Sequence, residues 1–201
     1  MIRYDPFWKR VFDRFVSTVA ITLLSPIFIL IAILIKADSE GPVLFRQIRV
    51  GKNFRQFCLI KFRTMTCENN AEKLQFEAGS TSRVTRIGSF LRATKLDELP
   101  ELFNIIKGDM SIIGPRPEVP KYVKVFKSDY RKILSVRPGL SDSASIKYRN
   151  EEDILWRKKN PERHYVEVIL PDKLELAKGY AEDISFKKDV RIIIQTLRCI
   201  V

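Results

Sequence analysis

Residues 15–35 read FVSTVAITLLSPIFILIAILI, an uncharged run bracketed by Lys9, Arg10 and Arg14 before it and Lys36 after it. At about 1.5 Å of rise per residue, a helix of this length matches a hydrocarbon core of about 30 Å. The run is too long for a signal peptide, and no small-residue cleavage pattern follows before Asp38, Ser39 and Glu40. Ser25-Pro26 in its middle predicts a break. Pro26 has no amide hydrogen and its ring crowds the Thr22 carbonyl, while the Ser25 hydroxyl can bond to a carbonyl one turn earlier. Two arrangements fit these residues: a kinked transmembrane helix, or a segment that enters one leaflet and returns. In both, the protein is anchored in a membrane.

Outward from this segment, the rest of the 201 residues suffices for one further folded unit, giving an anchor over residues 1–36 fused to a domain over 37–201. One histidine, His164, excludes a multi-histidine metal centre. Cys58, Cys67 and Cys199 lack zinc-finger or disulfide-scaffold spacing and suit a reducing, cytoplasm-facing compartment. The net charge of +12 divides as +7, −1 and +6 over residues 1–66, 67–120 and 121–201, so acids gather in the middle. Residues 43–50 and 54–62 read as a hairpin joined across Gly51-Lys52-Asn53. Its basic residues Arg46, Arg49, Lys52, Arg55, Lys61 and Arg63 suit anionic headgroups.

Helical spacing predicts helices over 87–93, 96–106 and 118–134, an extended piece over 111–117, a turn over 136–139 and irregular chain to Asn150. A final amphipathic helix over 184–201 has Val190, Ile193, Ile194, Leu197 and Val201 on one stripe, to be met by either the core or the membrane. The resulting class is α+β, with a small antiparallel sheet among amphipathic helices. Pro100 is comfortable only in a first turn, which places Asp97 and Glu98 at a helix start, where amides and the dipole would keep Asp97 ionised.

A Walker motif, a GxGxxG, an Asp-x-Asp and a Ser-His-Asp set are all absent from the sequence. What remains is an acid pair accompanied by loop arginines, Arg92, Arg116, Arg137 and Arg149. Guanidinium groups pair bidentately with phosphates, and Mg²⁺ favours hard carboxylate oxygens, so this set suits phosphoryl chemistry. Helix capping alone also accounts for an Asp-Glu pair. A noncatalytic basic adaptor, anchored in the membrane and binding anionic lipid or nucleic acid, fits the same charge.

The order of motifs resembles the bacterial sugar transferases, the monotopic phosphoglycosyl transferases. The resemblance rests on Ser25-Pro26, Lys61-Phe62-Arg63-Thr64-Met65, Arg92, Leu96-Asp97-Glu98-Leu99-Pro100, Phe103-Asn104, Lys107-Gly108-Asp109-Met110-Ser111, Gly114-Pro115-Arg116-Pro117 and Val136-Arg137-Pro138-Gly139. It implies the minimal, catalytic-domain form of an enzyme that transfers a phospho-sugar from a UDP-sugar to polyprenol (undecaprenyl) phosphate, releasing UMP. By the resemblance, Asp97 is the nucleophile that forms a covalent aspartyl phosphosugar, and Glu98 is its partner acid. Asp97 and Glu98 hold Mg²⁺, while Lys61, Arg63, Arg92, Arg116, Arg137 and Arg149 bind phosphate. It further implies a re-entrant helix broken at Ser25 and Pro26, the cytoplasmic face of a bacterial inner membrane, downstream glycosyltransferases as partners, and no nucleic acid.

The chain departs from the family where Leu140-Ser141-Asp142-Ser143-Ala144-Ser145 replaces the common Ile-Thr-Gly-Trp-Ala-Gln, a change bearing on sugar or uridine recognition. Ala177 stands where an acid is common, and Asp189 matches the family.

Overall fold

A computed structural model describes residues 6–67 and 83–200. Helix α1 (Pro6–Asp38) carries the apolar run and continues through Pro26 as one element. The expected separation into two helices at Ser25-Pro26 is therefore absent, for a local reason. Pro26 deprives the Thr22 carbonyl of its amide partner, and Ser25 Oγ donates to that same oxygen at 2.9 Å. Thr18 and Thr22 likewise donate to the carbonyls of Arg14 and Thr18, at 2.8 and 3.0 Å. All three hydroxyls are thus satisfied within the helix, as a nonaqueous medium requires.

One stripe of α1 is covered along its whole length. Asp13, Ser17, Ile31 and Ile35 are buried, with Ala20, Ile21 and Phe28 partly buried between them. Leu23, Ile27, Ile29, Leu30, Ile33 and Leu34 on the remaining surface are exposed. Polar contacts fasten both ends. Lys9 pairs with Asp189, and Ser111 Oγ donates to Asp13, while at the far end Asp38 Oδ2 accepts the Ile87 amide at 3.1 Å.

Strands β1 (Leu44–Val50) and β2 (Gln56–Phe62) pair antiparallel from Leu44 opposite Phe62 to Val50 opposite Gln56. Their turn is longer than the sequence suggests: Asn53 and Phe54 both adopt positive φ, so β2 starts two residues later than expected. Phe57 and Leu59, two apart, face one cluster with Leu102 and Ile105, while Phe62 at the strand end is buried against Ile31, Ile35 and Leu91. Next, α2 (Arg86–Ala93) begins at Thr85, whose hydroxyl accepts the Gly88 amide at 2.9 Å. The predicted 96–106 helix divides into a 3₁₀ turn over Leu96–Glu98 and α3 (Glu101–Lys107), with Pro100 at its N-cap. Gly108, at φ +90°, closes α3 by donating to the carbonyls of Asn104 and Ile105.

Beyond α3, β3 (Ser111–Ile113) pairs parallel with β4 (Gly139–Ser141), where the sequence suggested only a turn and irregular chain. The expected 118–134 helix is two, α4 (Pro120–Val125) and α5 (Lys127–Ile133), joined at Phe126, whose φ −107°, ψ 39° leaves the helical region. Then come α6 (Ser143–Lys147), α7 (Glu151–Trp156), α8 (Pro161–His164), a π turn over Tyr165–Ile169, α9 (Leu170–Glu182) and α10 (Phe186–Ile200). Tyr122, Tyr130, Ile133, Leu155, Tyr165, Ile169, Leu174 and Ala177 pack into one core, so Ala177 fills space that an acid would have to leave.

Helix α10 divides its apolar residues between two surroundings. Ile192 is buried, whereas Phe186, Ile194 and Leu197 face outward. Val201, assigned to its stripe from sequence, lies outside the described residues.

Candidate active site

The 3₁₀ turn brings Asp97 and Glu98 against the end of β2 and the loop after β3. Pro100 and the left-handed Lys95 (φ 59°) bracket this turn, so its two carboxyl groups are set by backbone that has little freedom to move. Arg116 grips Glu98 with both terminal nitrogens, Nη1 to Oε2 at 3.3 Å and Nη2 to Oε1. Lys61 Nζ donates to Glu98 Oε1 at 2.7 Å and stands 3.3 Å from Glu101 Oε1. Two cations and three acids therefore form one partly dehydrated cluster.

Their protonation differs with their surroundings. Burial opposes ionisation of Glu98, but the charges and hydrogen bonds of Arg116 and Lys61 prevail and hold it well below the usual carboxylate range. Glu101 is almost fully buried; burial dominates, and with Glu98 beside it the carboxyl is pushed up to about 7 despite Lys61. Burial also raises Asp97, which Lys61 pulls back and Glu98 pushes further up. Asp97 Oδ1 is buried without a hydrogen-bond partner among the described residues. The expected stabilisation of the Asp97 carboxylate by helix-start amides is not seen: its turn supplies it no amide, and desolvation is the largest influence on it.

The arrangement offers an underused carboxylate oxygen beside one locked as an anion and two guanidinium or ammonium groups. Such a set can present a nucleophile while neutralising phosphate charge.

Of the residues assigned from sequence, Lys61 and Arg116 join Asp97 and Glu98. Arg63, Arg92, Arg137 and Arg149 make no ion pair with either acid among the described residues. Arg63 is buried and donates to the carbonyls of Ser39, at 2.7 Å, and Glu40, tying the end of α1 to β2. Arg92 Nε donates to Thr64 Oγ1 at 2.9 Å and its Nη1 reaches Glu152 at 3.2 Å. Arg137 Nε donates to the Gly108 carbonyl at 2.8 Å, at the opposite end of α3. Arg149 is exposed just before α7.

A model of the family described as bacterial sugar transferase matches residues 4–201. The chain belongs to the bacterial sugar transferase family. Among its relatives, the chain is 38% identical over 200 residues to the UDP-N-acetylgalactosamine-undecaprenyl-phosphate N-acetylgalactosaminephosphotransferase of Aeromonas hydrophila, covering 96% of the chain and 44% of the relative. It is 40% identical over 152 residues to the UDP-glucose:undecaprenyl-phosphate glucose-1-phosphate transferase of Klebsiella pneumoniae, covering 74% and 33%. A protein of that same designation from Escherichia coli is 32% identical over 197 residues, covering 94% and 39%. The chain thus spans between a third and a half of the length of these curated relatives.

Three residues at or beside the candidate site were not singled out from the sequence. Glu101 lies four residues after Asp97, one helical turn on, and that spacing was its available signal. Asp142 falls in the segment that departs from the family, where it caps α6 by accepting the Ser145 amide at 2.6 Å. It also accepts the Arg116 amide at 3.0 Å, fixing the loop that carries the Glu98 clamp. The Asp-x-x-Ser spacing was a capping signal, though nothing in it indicated Arg116. Asn104, fully buried in α3, accepts the Ile60 amide at 3.1 Å and donates to the Cys58 carbonyl at 2.7 Å, locking α3 to β2.

Proposed function

We propose that this sugar transferase moves a phospho-sugar from a UDP-sugar to undecaprenyl phosphate, yielding polyprenyl-diphosphate-sugar and UMP, as the first membrane step of bacterial glycoconjugate assembly. The observation that carries this reading is Asp97 Oδ1, buried and unpartnered beside a Glu98 clamped by Arg116 and Lys61. The relatives' designations support the substrate classes, and because they name different sugars, the donor sugar is a matter for experiment.

In the proposed first half, an Asp97 oxygen attacks the β-phosphorus of the donor. The bond from that phosphorus to the bridging oxygen breaks, and UMP leaves with the bridging oxygen and its electron pair. The phosphosugar is then esterified to Asp97 as an acyl phosphate. In the second half, a phosphate oxygen of the polyprenol attacks the same phosphorus and the Asp97 carboxylate departs, regenerated. Splitting the transfer lets one carboxylate serve a soluble donor and a lipid acceptor in turn. Arg116 and Lys61 face the phosphate charge, and Glu98, held ionised, keeps both in place.

A Mg²⁺ requirement fits these residues in a specific way. Among the described residues no group of three or more His, Cys, Asp or Glu is gathered to hold a metal, but Mg²⁺ is commonly held by one or two carboxylates together with substrate phosphates. Asp97 and Glu98 would supply those carboxylates, Asp97 through its open oxygen. When bound, the ion would neutralise the donor pyrophosphate.

The same reading places the protein on one face of the membrane, the cytoplasmic face of the inner membrane. Support comes from α1: its two ends are fastened to the same folded body through Asp189 and Ser111 at one end and Ile87 at the other. A perpendicular crossing would carry one of those polar attachments through hydrocarbon. Exposed Leu23, Ile27, Leu30 and Ile33 then dip into one leaflet around Ser25-Pro26.

The test is UMP release by detergent-solubilised protein from a panel of UDP-sugars, with Mg²⁺ and with undecaprenyl phosphate present or withheld. Lipid-dependent release by wild type, abolished in Asp97→Asn, supports the reading, as does a phosphosugar adduct mapped to Asp97 by mass spectrometry. Unchanged membrane association with no release from any donor, while a working relative is active in parallel, points to the adaptor instead.

A further inference from the structure

Four cations converge at the C-terminal end of α3, away from the acids at its start. Arg137 Nε donates to the Gly108 carbonyl, and Arg14 lies over Gly108 itself, with Nη2 2.7 Å from where a Cβ would stand. A side chain at position 108 is disfavoured by its φ of +90°, and a Cβ there would push the Arg14 guanidinium aside. Arg10, Arg14 and Arg137 line a cleft with Ile105 and Met110, and Lys52 in the β1–β2 turn stands in electrostatic reach of Arg137 and Arg10. The seven residues of α3 alone put about 10 Å between its two ends at helical rise.

Among the described residues these charges have no carboxylate in direct contact: none lies within 4.0 Å of the side-chain nitrogens of Arg10, Arg14, Lys52 or Arg137. Asp13, the acid of the cleft, accepts from Ser111, and both Asp13 and Asp109 act on Arg137 only through space. Burial first, then Arg10 and Arg14, lower the Arg137 pKa; burial, Arg137 and Arg10 do the same to Lys52. A bound anion would relieve both. The cluster also borders apolar surface: Phe7, Val11 and Phe15 of α1 are exposed, and Phe54 is exposed beside Lys52.

We propose that Arg10, Arg14, Lys52 and Arg137 form a second phosphate site, separate from Asp97 and Glu98, that takes the headgroup of an anionic membrane phospholipid. Guanidinium groups pair in bidentate fashion with phosphodiester oxygens, and the exposed aromatic residues beside them bring the cluster to the depth at which headgroups lie. The site fixes the first half of α1 at the interface. It does not depend on the transferase reading, because it uses neither acid of that site.

The full chain in a non-ionic detergent is compared by native mass spectrometry with phosphatidylglycerol, with phosphatidylcholine and with inorganic phosphate as competitor. Wild type is expected to retain one phosphatidylglycerol in preference to phosphatidylcholine. Arg10→Gln with Arg14→Gln should lose at least about tenfold in retention, taking roughly fivefold per basic residue near a headgroup. Both positions are exposed and helical, so glutamine keeps the fold, which circular dichroism verifies. Arg191→Gln with Arg198→Gln, exposed on α10, should leave retention unchanged. Equal loss in both double variants means diffuse charge and overturns the site, as does undiminished retention in the first. Displacement by inorganic phosphate at equal concentration would show a soluble source and overturn the lipid assignment.

Discussion

Ser25 Oγ donates at 2.9 Å to the Thr22 carbonyl, the oxygen for which Pro26 has no amide. The hydroxyl thereby stands in for the hydrogen bond that proline removes, and the pair behaves as a unit. Ser25→Ala is expected to orphan the carbonyl and lower stability by about 1 kcal/mol. Ser25→Ala combined with Pro26→Ala restores an amide donor, so the double variant should be more stable than the single one. Thermal unfolding in detergent checks the order; additive losses would show that the hydroxyl does not serve this role.

If Asp97 is the nucleophile of the proposed transfer, it sets the pH dependence of the reaction. Burial raises its pKa above the ordinary aspartate value of about 3.9, and attack requires the ionised form. As pH falls through the folded-state value, the reactive fraction falls, so the acid limb of kcat/KM for UMP release should lie above the ordinary aspartate value. Lys61 is the foremost charge holding that value down, so Lys61→Gln should move the limb to still higher pH. A limb at or below pH 4 in the wild type would contradict the buried, unpartnered Asp97.

Glu101 bears on stability with the opposite sign from an ordinary salt-bridged acid. Its folded value of about 7 exceeds the unfolded value of about 4.3, so its contribution is undiminished below pH 4 and is lost as pH rises through 7. Glu101→Gln removes this penalty. The variant should gain on wild type between pH 5 and pH 8, by on the order of 2 kcal/mol at the upper end, read as a difference in unfolding midpoint. A constant difference across that range would mean that Lys61 keeps Glu101 ionised throughout.

Asn104 and Gly88 hold the frame of the site. Asn104→Ala takes their side-chain partner from the part-buried Ile60 amide and Cys58 carbonyl, a loss of about 1–2 kcal/mol. At Gly88 a Cβ would stand 2.0 Å from the Thr64 carbonyl oxygen, which is backbone and cannot yield. Gly88→Ala should cost about 3 kcal/mol and displace Arg92 from Thr64 Oγ1. Denaturant unfolding measures both, and a loss below 1 kcal/mol in either would place the support elsewhere.

Local pattern made much of this protein legible. The uncharged run at 15–35, the two strand runs flanking Gly51-Lys52-Asn53 and the helical spacing within 96–106 are properties of neighbouring residues, and they reappear as α1, the hairpin and α3. The acid pair was legible for the same reason, since Pro100 fixes where a helix can begin. Boundaries that depend on distant contacts were not. The β3–β4 pair joins segments 28 residues apart, from Ser111 to Gly139, and each strand is three residues long, too short to carry a periodicity.

By itself the sequence determined the apolar anchor, the basic character of its flanks, the hairpin and the presence of Asp97 and Glu98 on one turn. Only the tertiary structure decided which cations serve that pair. Lys61 and Arg116 reach Glu98, whereas Arg63 is consumed by the Ser39 and Glu40 carbonyls, Arg92 by Thr64 and Glu152, and Arg137 turns toward Gly108. The physical reason is that side-chain type and spacing fix what a residue can do within a turn or two. The partner of a long, flexible cation, and the burial that moves a carboxyl's pKa, are instead set by elements brought together from far along the chain.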